Sequence, residues 1–372
     1  MNALDNLLSQ PVRENAGQRT GNRFQYQYHW GLIKLLELFE STDDFMMIFE
    51  FADDIIVLDS TDNPKYIDFY QIKTNSKKNA FNWTRAALLK RGTKKNPTLS
   101  IVEKMIDNYI RYTDNTRNIQ FVSNLHCKFK DISTKEQNPL VLKSLANDDI
   151  EELKKQMCTN CPQKNSCNEQ CKKIISFSCA NLDLSAFKET SIGKVNVFLN
   201  KLYPGSDING YTLYDVLITK IKDKSTYEGQ ITNKKDLAIH KSISKQNFQE
   251  QLSAIYKSSE LKKMYATLHT DISKIYSIPE AKIIQMALKK IETDILDIDN
   301  FLLQKVVGLI KKDVNDIIKN NLVNNDDELK EHINCIINQI YESDNTIQDI
   351  YDKYYISALF FREWSLYEQV RN

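Results

Sequence analysis

Two small groups of polar side chains near the N-terminus have the types and spacing needed for chemistry. Glu50, Asp53 and Asp54 interrupt one apolar run, and Gln71 and Lys73 end the next. Alternation along a strand puts Gln71 and Lys73 on the same face. Carboxylate and amide oxygens are the hard ligands that Mg²⁺ prefers, and a lysine can stabilise developing negative charge. These residue types therefore suit a site that binds a metal ion and stabilises negative charge.

The elements that must position these groups are predicted to be a helix and a pair of strands. Apolar residues at helical spacing predict a helix over Phe24–Glu40 after a polar lead-in. Aromatic and aliphatic residues predict a strand over Phe45–Phe51 that continues through Ile55–Leu58. Turn-forming residues at Asp59–Pro64 separate it from a second strand, Tyr66–Lys73. Together the two strands are predicted to form an antiparallel hairpin.

The order of these features resembles the PD-(D/E)XK restriction-endonuclease fold, in the variant that ends in Gln-x-Lys, as in Mrr-type restriction enzymes. More specifically, it resembles the double-stranded DNA nuclease domain of bacterial antiphage effectors, found in CBASS endonucleases and beside HerA-type ATPases. The resemblance covers about residues 13–230. The features that carry it are, in chain order, Phe24-Gln25-Tyr26-Gln27, Glu50-x-x-Asp53-Asp54-Ile55, Gln71-Ile72-Lys73-Thr74 and the predicted strand Ile119–Asn124.

This resemblance implies a role for each residue of the group. Asp54 stands at the position of the family's metal-binding aspartate, and a slip of one residue would exchange it with Asp53. Gln71 takes the second ligand position and would bind through its side-chain oxygen, where Asp or Glu is commoner. Lys73 would orient the attacking water or stabilise the developing negative charge.

Two further side chains are candidates for the same site. Glu50 precedes Asp54 by four residues and shares its face if the strand is regular. Gln27, on the first helix, would face the site from another side, and Glu37 is the acidic candidate on that helix. The alternative interpretation is purely structural: a solvated strand end, with Lys73 as the charge that protects an edge strand from aggregation.

A basic stretch follows the motif directly. Between Lys73 and Val102 the sequence has no Asp or Glu. Such a run can neutralise phosphates and release counterions, and no recognition helix or zinc-finger pattern accompanies it. It therefore indicates DNA-backbone binding with little sequence specificity, with a solvated lysine-rich loop as the alternative. The candidate DNA-binding residues are Lys77, Lys78, Arg85, Lys90, Arg91, Lys94 and Lys95.

Four of the seven cysteines lie close together. Their spacing suits a structural Zn²⁺ held by four thiolates, with an iron–sulfur cluster or a reduced thiol-rich loop as alternatives. Zinc there would not do chemistry, because four thiolates leave no open position. The other three, Cys127, Cys179 and Cys335, are expected to be buried small hydrophobes. The cluster consists of Cys158, Cys161, Cys167 and Cys171.

The composition limits the class of protein. The 372 residues include 50 Lys+Arg and 49 Asp+Glu, which excludes a globally basic nucleic-acid coat protein. With 9 Gly and 7 Pro, the chain favours long helices over many short strands. No apolar window is long enough for a transmembrane helix, so no membrane partner is expected, and a reducing cytoplasm is the expected location.

The predicted fold class is an α/β (α+β) restriction-endonuclease-like core with a mixed sheet, followed by a mostly α-helical domain. The nuclease domain is expected over residues 13–230, with a Cys-rich insertion at about 158–171. Residues 225–245 are polar and are predicted to be a linker. Residues 246–372 are predicted to be a helical assembly or partner-binding domain, with a helix break near Asp297–Asn300.

Together with these observations, the resemblance implies a DNA endonuclease effector of antiphage defence that depends on Mg²⁺ or Mn²⁺. It would cleave double-stranded DNA with little sequence specificity. The sequence has no P-loop, so the chain does not look like an NTPase by itself, and the resemblance implies control by a partner such as a HerA-like ATPase. The C-terminal helical part is expected to form a homo-oligomer or to dock a regulator. The alternatives are a catalytically inactive DNA-binding or scaffold subunit, and a helical interaction protein in which the hairpin is structural.

Overall fold

A computed structural model describes residues 2–9, 21–75, 82–93, 98–157, 167–206 and 208–371. The chain divides into two compact units. The first, the sheet unit, comprises Met1–Leu202 and Gly210–Asn247, and the second, the helical unit, comprises Tyr203–Asn209 and Phe248–Asn372. A mixed sheet in the first and helices in the second confirm the predicted fold class.

The strands all belong to the sheet unit. In chain order they are β1 (Met46–Phe49), β2 (Ile55–Leu58), β3 (Ile67–Lys73), β4 (Asn82–Thr84), β5 (Thr116–Ser123), β6 (His126–Lys128), β7 (Leu140–Val141), β8 (Ile175–Cys179) and β9 (Ser242–Ser244).

Helices alternate with these strands and then make up the helical unit. They are α1 (Ala3–Ser9), α2 (Gly21–Ser41), α3 (Arg85–Leu88), α4 (Ile101–Arg111), α5 (Asn147–Met157), α6 (Cys167–Ile174), α7 (Phe187–Leu202), α8 (Gly210–Thr226), α9 (Lys234–Lys241), α10 (Lys245–Ile275), α11 (Ile278–Asp294), α12 (Phe301–Asn320), α13 (Asp326–Ser343), α14 (Thr346–Ile350) and α15 (Lys353–Arg371).

Among the described residues, seven strands form the main sheet in the order β7-β8-β5-β3-β2-β1-β9. The pairs β3–β5 and β5–β8 are parallel, and the other pairs are antiparallel. Lys73 is aligned with Ser123, and Ser123 is aligned with Cys179. The carboxyl ends of the three parallel strands therefore meet at one edge of the sheet, the edge at which α/β proteins place their ligands.

The predicted long first strand is wrong in one respect. The chain reverses between Phe49 and Ile55, so β1 and β2 run antiparallel instead of forming one strand. Glu50 has a positive φ of 46°, and its N–H donates to the Asp54 carbonyl at 3.0 Å. The polar residues of this short connection form a turn. Glu50 and Asp54 therefore face each other across the turn, and they do not lie on one face of a single regular strand as predicted.

The predicted linker over residues 225–245 is also wrong. It contains α9 and β9, and β9 joins the main sheet with Ile243 aligned to Met47. Leu237 and Ile243 are fully buried. A strand of three residues, Ser-Ile-Ser, is too short to show the alternation by which a strand is predicted.

Helix α2 confirms the predicted first helix and begins three residues earlier, at Gly21. It buries Tyr26, Leu32 and Leu35. Gly31 allows it to approach the sheet closely, because a Cβ at this position would lie 3.0 Å from the Ile55 Cδ1 atom.

In the helical unit the predicted break is confirmed. Helix α11 ends at Asp294 and α12 begins at Phe301, where the Asn300 side chain accepts the Leu303 N–H at 3.0 Å. The predicted last helix is interrupted between α14 and α15. Its aromatic residues Phe360 and Phe361 are buried in the core of the unit, as predicted. In the described parts of the chain, no helix is both long and apolar enough to cross a membrane.

Replacing Gly31 with valine is expected to destabilise the protein by about 1–3 kcal/mol, because the added methyl groups overpack the contact of α2 with the sheet. Gly193→Val is the matched control, since Gly193 also lies within a helix and a Cβ there would meet nothing within 4 Å. Urea denaturation measures both. Equal free energies of unfolding for the two variants would contradict the close approach.

Candidate active site

The centre of the candidate site is the contact between Asp54 and Lys73. The Lys73 ammonium donates to both Asp54 carboxylate oxygens, at 3.1 and 3.3 Å. Asp54 also accepts the backbone N–H of Ile72 at 2.6 Å and is only 8% exposed. The antiparallel register explains the contact. Ile55 is aligned with Tyr70, so Asp54, the residue before β2, reaches the end of β3 where Lys73 lies.

The two neighbouring aspartates turn to different partners. Asp53 accepts the amide of Asn108, on α4, at 2.5 Å and also the N–H of Asp54 at 2.9 Å. Asp54 faces Lys73 instead. The structure thus separates the two carboxylates that the sequence left interchangeable, because the turn after Phe49 directs one to α4 and the other to the end of β3.

Two glutamine side chains are buried beside this pair. Gln27 donates its amide to the Ile72 carbonyl at 3.3 Å, which ties α2 to β3. The side-chain oxygens of Gln27 and Gln71 are buried and have no hydrogen-bond partner in the part of the chain that the structure describes. A buried acceptor without a donor costs about 1–3 kcal/mol. Both oxygens are therefore suited to bind a cation or water. Glu37 is exposed and pairs with Lys34 at 3.5 Å.

Glu50 lies within electrostatic reach of the same pair. Burial raises the pKa of its carboxyl to about 8, and repulsion from Asp54 adds to this effect. The positive charges of Lys73 and Lys241 lower that pKa in part. Without a bound cation, the Glu50 carboxyl therefore keeps its proton near neutral pH.

Lys241 is a residue that the sequence analysis missed. It ends α9, directly before β9, where Ser242 is aligned with Ile48 two residues before Glu50. Its side chain is buried and donates to the Ser225 carbonyl at 3.4 Å. Burial lowers the pKa of the ammonium, and the Glu50 charge opposes that shift. A single lysine in a polar segment gives no sequence signal, and only the pairing of β9 with β1 reveals its position.

The described part of the basic stretch is partly neutralised by the fold. Arg85 pairs with Asp149 of α5 at 2.7 Å. Arg91 pairs with Glu103 of α4, with its Nε donating at 2.9 Å. Acids that are distant in sequence thus compensate two of the predicted DNA-binding cations. Lys90 is exposed. Four of the predicted lysines lie outside the described residues: Lys77, Lys78, Lys94 and Lys95.

The cysteine cluster lies largely outside the described residues. This applies to Cys158, Cys161 and the side chain of Cys167. Cys171 is fully buried in the apolar core of the sheet unit. Within the described ranges no three His, Cys, Asp or Glu side chains form a metal-ligating group. The structural zinc remains a prediction.

The isolated cysteines have two different environments. Cys127 and Cys179 are buried, as predicted. Cys335 is exposed, so the prediction of burial is wrong for it. It lies on α13, whose apolar residues Ile333, Ile336 and Ile337 take the buried face.

Comparison with known proteins gives a match that covers more than half of the chain. The family model described as "Cap4, dsDNA endonuclease domain" matches residues 15–225. The chain belongs to this Cap4 endonuclease family. No curated protein matches the chain.

The Cap4 match confirms the resemblance to a double-stranded DNA nuclease of antiphage type. It spans α2, the turn with Asp54 and the β3 strand with Lys73, and it ends within α8. Helix α9 with Lys241, strand β9 and most of the helical unit lie beyond the matched residues. The Gln-x-Lys motif remains a prediction in this Cap4 member.

The raised pKa of Glu50 predicts how stability depends on pH. Between about pH 5 and 8 the unfolded chain loses the Glu50 proton while the folded protein keeps it, so the free energy of unfolding falls as pH rises. Glu50→Gln removes this loss. The free energy of unfolding of the variant minus that of wild type should therefore increase by at least about 1 kcal/mol between about pH 5 and 8.

Urea denaturation in EDTA at several pH values measures this difference. The exposed Glu37 provides the control for replacing a glutamate by glutamine, and the pH dependence of Glu50→Gln is compared with that of Glu37→Gln. Parallel curves for wild type and Glu50→Gln would show that Glu50 titrates in the folded protein as it does in the unfolded chain.

Proposed function

We propose that this Cap4 family member is a metal-dependent endonuclease that hydrolyses phosphodiester bonds of double-stranded DNA as an antiphage effector. Its active centre would be Asp54, Gln71 and Lys73, with Glu50 and Gln27 beside them. The observation that carries the proposal is the buried Asp54 carboxylate held against Lys73 at the end of β3.

Asp54 and Gln71 would hold Mg²⁺ or Mn²⁺. Two observations support this fit. The buried Gln71 side-chain oxygen has no hydrogen-bond partner among the described residues. The register of β2 and β3 brings Asp54 to the same strand end as Gln71. Mg²⁺ commonly uses one or two carboxylates and completes its shell with other oxygens, so one aspartate and one amide suffice. When bound, the ion would activate the attacking water and neutralise charge on the phosphate.

The other residues would act on charge and protons. Lys73 would orient the attacking water or stabilise the negative charge that develops on the phosphate. A Glu50 carboxyl that titrates near neutral pH suits general acid–base work. Gln27 would keep α2 in register with β3 through its bond to the Ile72 carbonyl.

DNA would be bound through its backbone. The exposed Lys90 and the lysines outside the described residues, Lys77, Lys78, Lys94 and Lys95, would neutralise phosphates. Arg85 and Arg91 would contribute less directly, because each already pairs with a carboxylate of the fold. Contacts of this kind carry no sequence information, which is consistent with cleavage of little specificity.

Control would come from outside the nuclease domain. The sequence lacks a P-loop, so a motor such as a HerA-like ATPase would be a separate partner. The helical unit is our candidate for homo-oligomer formation or for docking of that partner in the cytoplasm. Exposed apolar side chains on α11, with Ile278 75% and Met286 72% exposed, support an interaction role.

A catalytically inactive DNA-binding or scaffold subunit is the second candidate. It is favoured by one observation. The second ligand position holds the uncharged amide of Gln71, where Asp or Glu is commoner, and an amide attracts a cation less strongly than a carboxylate does.

Cleavage of plasmid and linear DNA distinguishes the two candidates. Each reaction contains Mg²⁺ or Mn²⁺ and is run with and without a HerA-type ATPase. We expect wild type to cleave. Asp54→Asn and Lys73→Met should each lower the cleavage rate at least about 100-fold, because each removes charge stabilisation from the transition state. Asp53→Asn is the matched control, since Asp53 faces Asn108 instead of Lys73, and it should lose far less. Absence of cleavage under every condition, or cleavage unaffected by both substitutions, would favour the inactive subunit.

Neutralising Lys77, Lys78, Lys94 and Lys95 to Gln is expected to weaken DNA binding and to flatten its dependence on salt. Each lost phosphate contact should reduce the slope of log affinity against log salt by about 0.9. Fluorescence anisotropy over a range of salt concentrations measures the slope. Neutralisation of four exposed lysines of the helical unit, Lys257, Lys311, Lys312 and Lys319, serves as the control. An unchanged slope in the first variant would exclude these lysines from the DNA interface.

A further inference from the structure

We propose that Asn124 is a positioning residue for Lys73. This inference rests on the proposed function, in which Lys73 acts on the substrate. Asn124 directly follows β5, and Lys73 ends the neighbouring parallel strand β3.

Asn124 holds the chain where it leaves β3. Its side-chain oxygen accepts the N–H of Asn75 at 3.0 Å, and its amide donates to the carbonyl of Asn75 at 3.2 Å. Asn75 is the second residue after Lys73. One side chain thus satisfies both backbone polar groups of a residue that lies beyond the end of the strand ladder.

The base of this clamp is itself well anchored. Ser123, aligned with Lys73 in the parallel register, is fully buried. Its hydroxyl accepts the indole N–H of Trp83 at 2.5 Å, and its carbonyl accepts the N–H of Ala180, after β8, at 2.8 Å. Asn124 therefore extends from a strand end that is itself held by hydrogen bonds, and its two bonds to Asn75 restrain the chain that leaves β3.

The position of Lys73 makes this restraint important. Lys73 is the last residue of its strand, and 34% of its side chain is exposed. Strand ends have few ladder hydrogen bonds, and a long lysine side chain multiplies any movement of its Cα. A displacement of about 1 Å at a reacting group can cost about 100-fold in rate. Fixing Asn75 limits how far the backbone at Lys73 can move.

The sheet contains a matched control for this clamp. Asn138 makes the same pair of bonds with Cys179, the last residue of β8. It donates to the Cys179 carbonyl at 2.7 Å and accepts its N–H at 3.1 Å. The chemistry of the two clamps is alike, but Asn138 holds the end of a strand that carries none of the proposed catalytic residues.

The test compares Asn124→Ala with Asn138→Ala in the 372-residue chain, with cleavage followed over a range of DNA and Mg²⁺ concentrations. We expect kcat to fall about 10- to 100-fold in Asn124→Ala. Its KM for DNA and its half-maximal Mg²⁺ concentration should stay within about twofold, because the residues that bind them are intact. Both alanine substitutions should lower Tm by similar amounts, because each removes an equivalent pair of hydrogen bonds. Asn138→Ala should nevertheless keep its kcat within about twofold of wild type.

Two additional measurements test whether Asn124 restrains Asn75. Asn124→Asp retains the acceptor for the Asn75 N–H and loses the donor, so its kcat should lie between those of wild type and Asn124→Ala. Independently of activity, hydrogen exchange at the Asn75 N–H should accelerate in Asn124→Ala and not in Asn138→Ala.

The outcomes separate this inference from the proposed function. If Lys73→Met abolishes cleavage while Asn124→Ala cleaves like wild type, or if both alanine variants lose activity equally, the positioning role is wrong and the nuclease assignment stands. If Lys73→Met cleaves like wild type, the proposed role of Lys73 fails, and the inference fails with it.

Discussion

Burial of the Asp54 carboxylate is the constraint around which the sheet unit is organised. An ionised carboxylate that is 8% exposed needs compensation, because desolvation without a partner costs several kcal/mol. Lys73 supplies the opposite charge and the Ile72 N–H supplies a hydrogen bond. Both come from β3, so the compensation depends on the antiparallel register between β2 and β3. A shift of that register by one residue would turn the Gln71 and Lys73 side chains to the other face.

The surrounding elements hold this register from three sides. Helix α2 packs closely over Ile55 at Gly31 and donates the Gln27 amide to the Ile72 carbonyl. Helix α4 fixes the turn through the bond from Asn108 to Asp53. Strand β9 lies against β1 and brings a buried lysine within electrostatic reach of Glu50. The site is thus assembled from elements distant in sequence, and every one of them contributes through a buried polar contact or a close apolar approach.

The number of basic residues in a segment does not reveal which of them form ion pairs in the folded protein. The span between Lys73 and Val102 has no acidic residue, yet Arg85 pairs with a carboxylate of α5 and Arg91 with a carboxylate of α4. In the helical unit, Arg362 similarly lies buried with Glu292 and Glu363. A buried pair of this kind is costly to break and adds little to stability when intact. The cations available to an external phosphate are consequently fewer than a count along the sequence indicates.

Local sequence patterns were sufficient to predict the elements that have a long apolar periodicity or a high apolar content. Helix α2, strands β3 and β5 and the break between α11 and α12 follow from local patterns of apolar residues, whereas the mixed sheet was implied by the family resemblance. The candidates Asp54, Gln71 and Lys73 follow from residue type and spacing together with that resemblance. Tertiary structure decided the rest. The reversal after Phe49, the pairing of β9 and the approach of Lys241 to Glu50 depend on contacts between distant segments, and three-residue strands and single lysines leave no periodic signal. The separation of Asp53 from Asp54 was decided in the same way, because only the fold brings Asn108 to one carboxylate and Lys73 to the other.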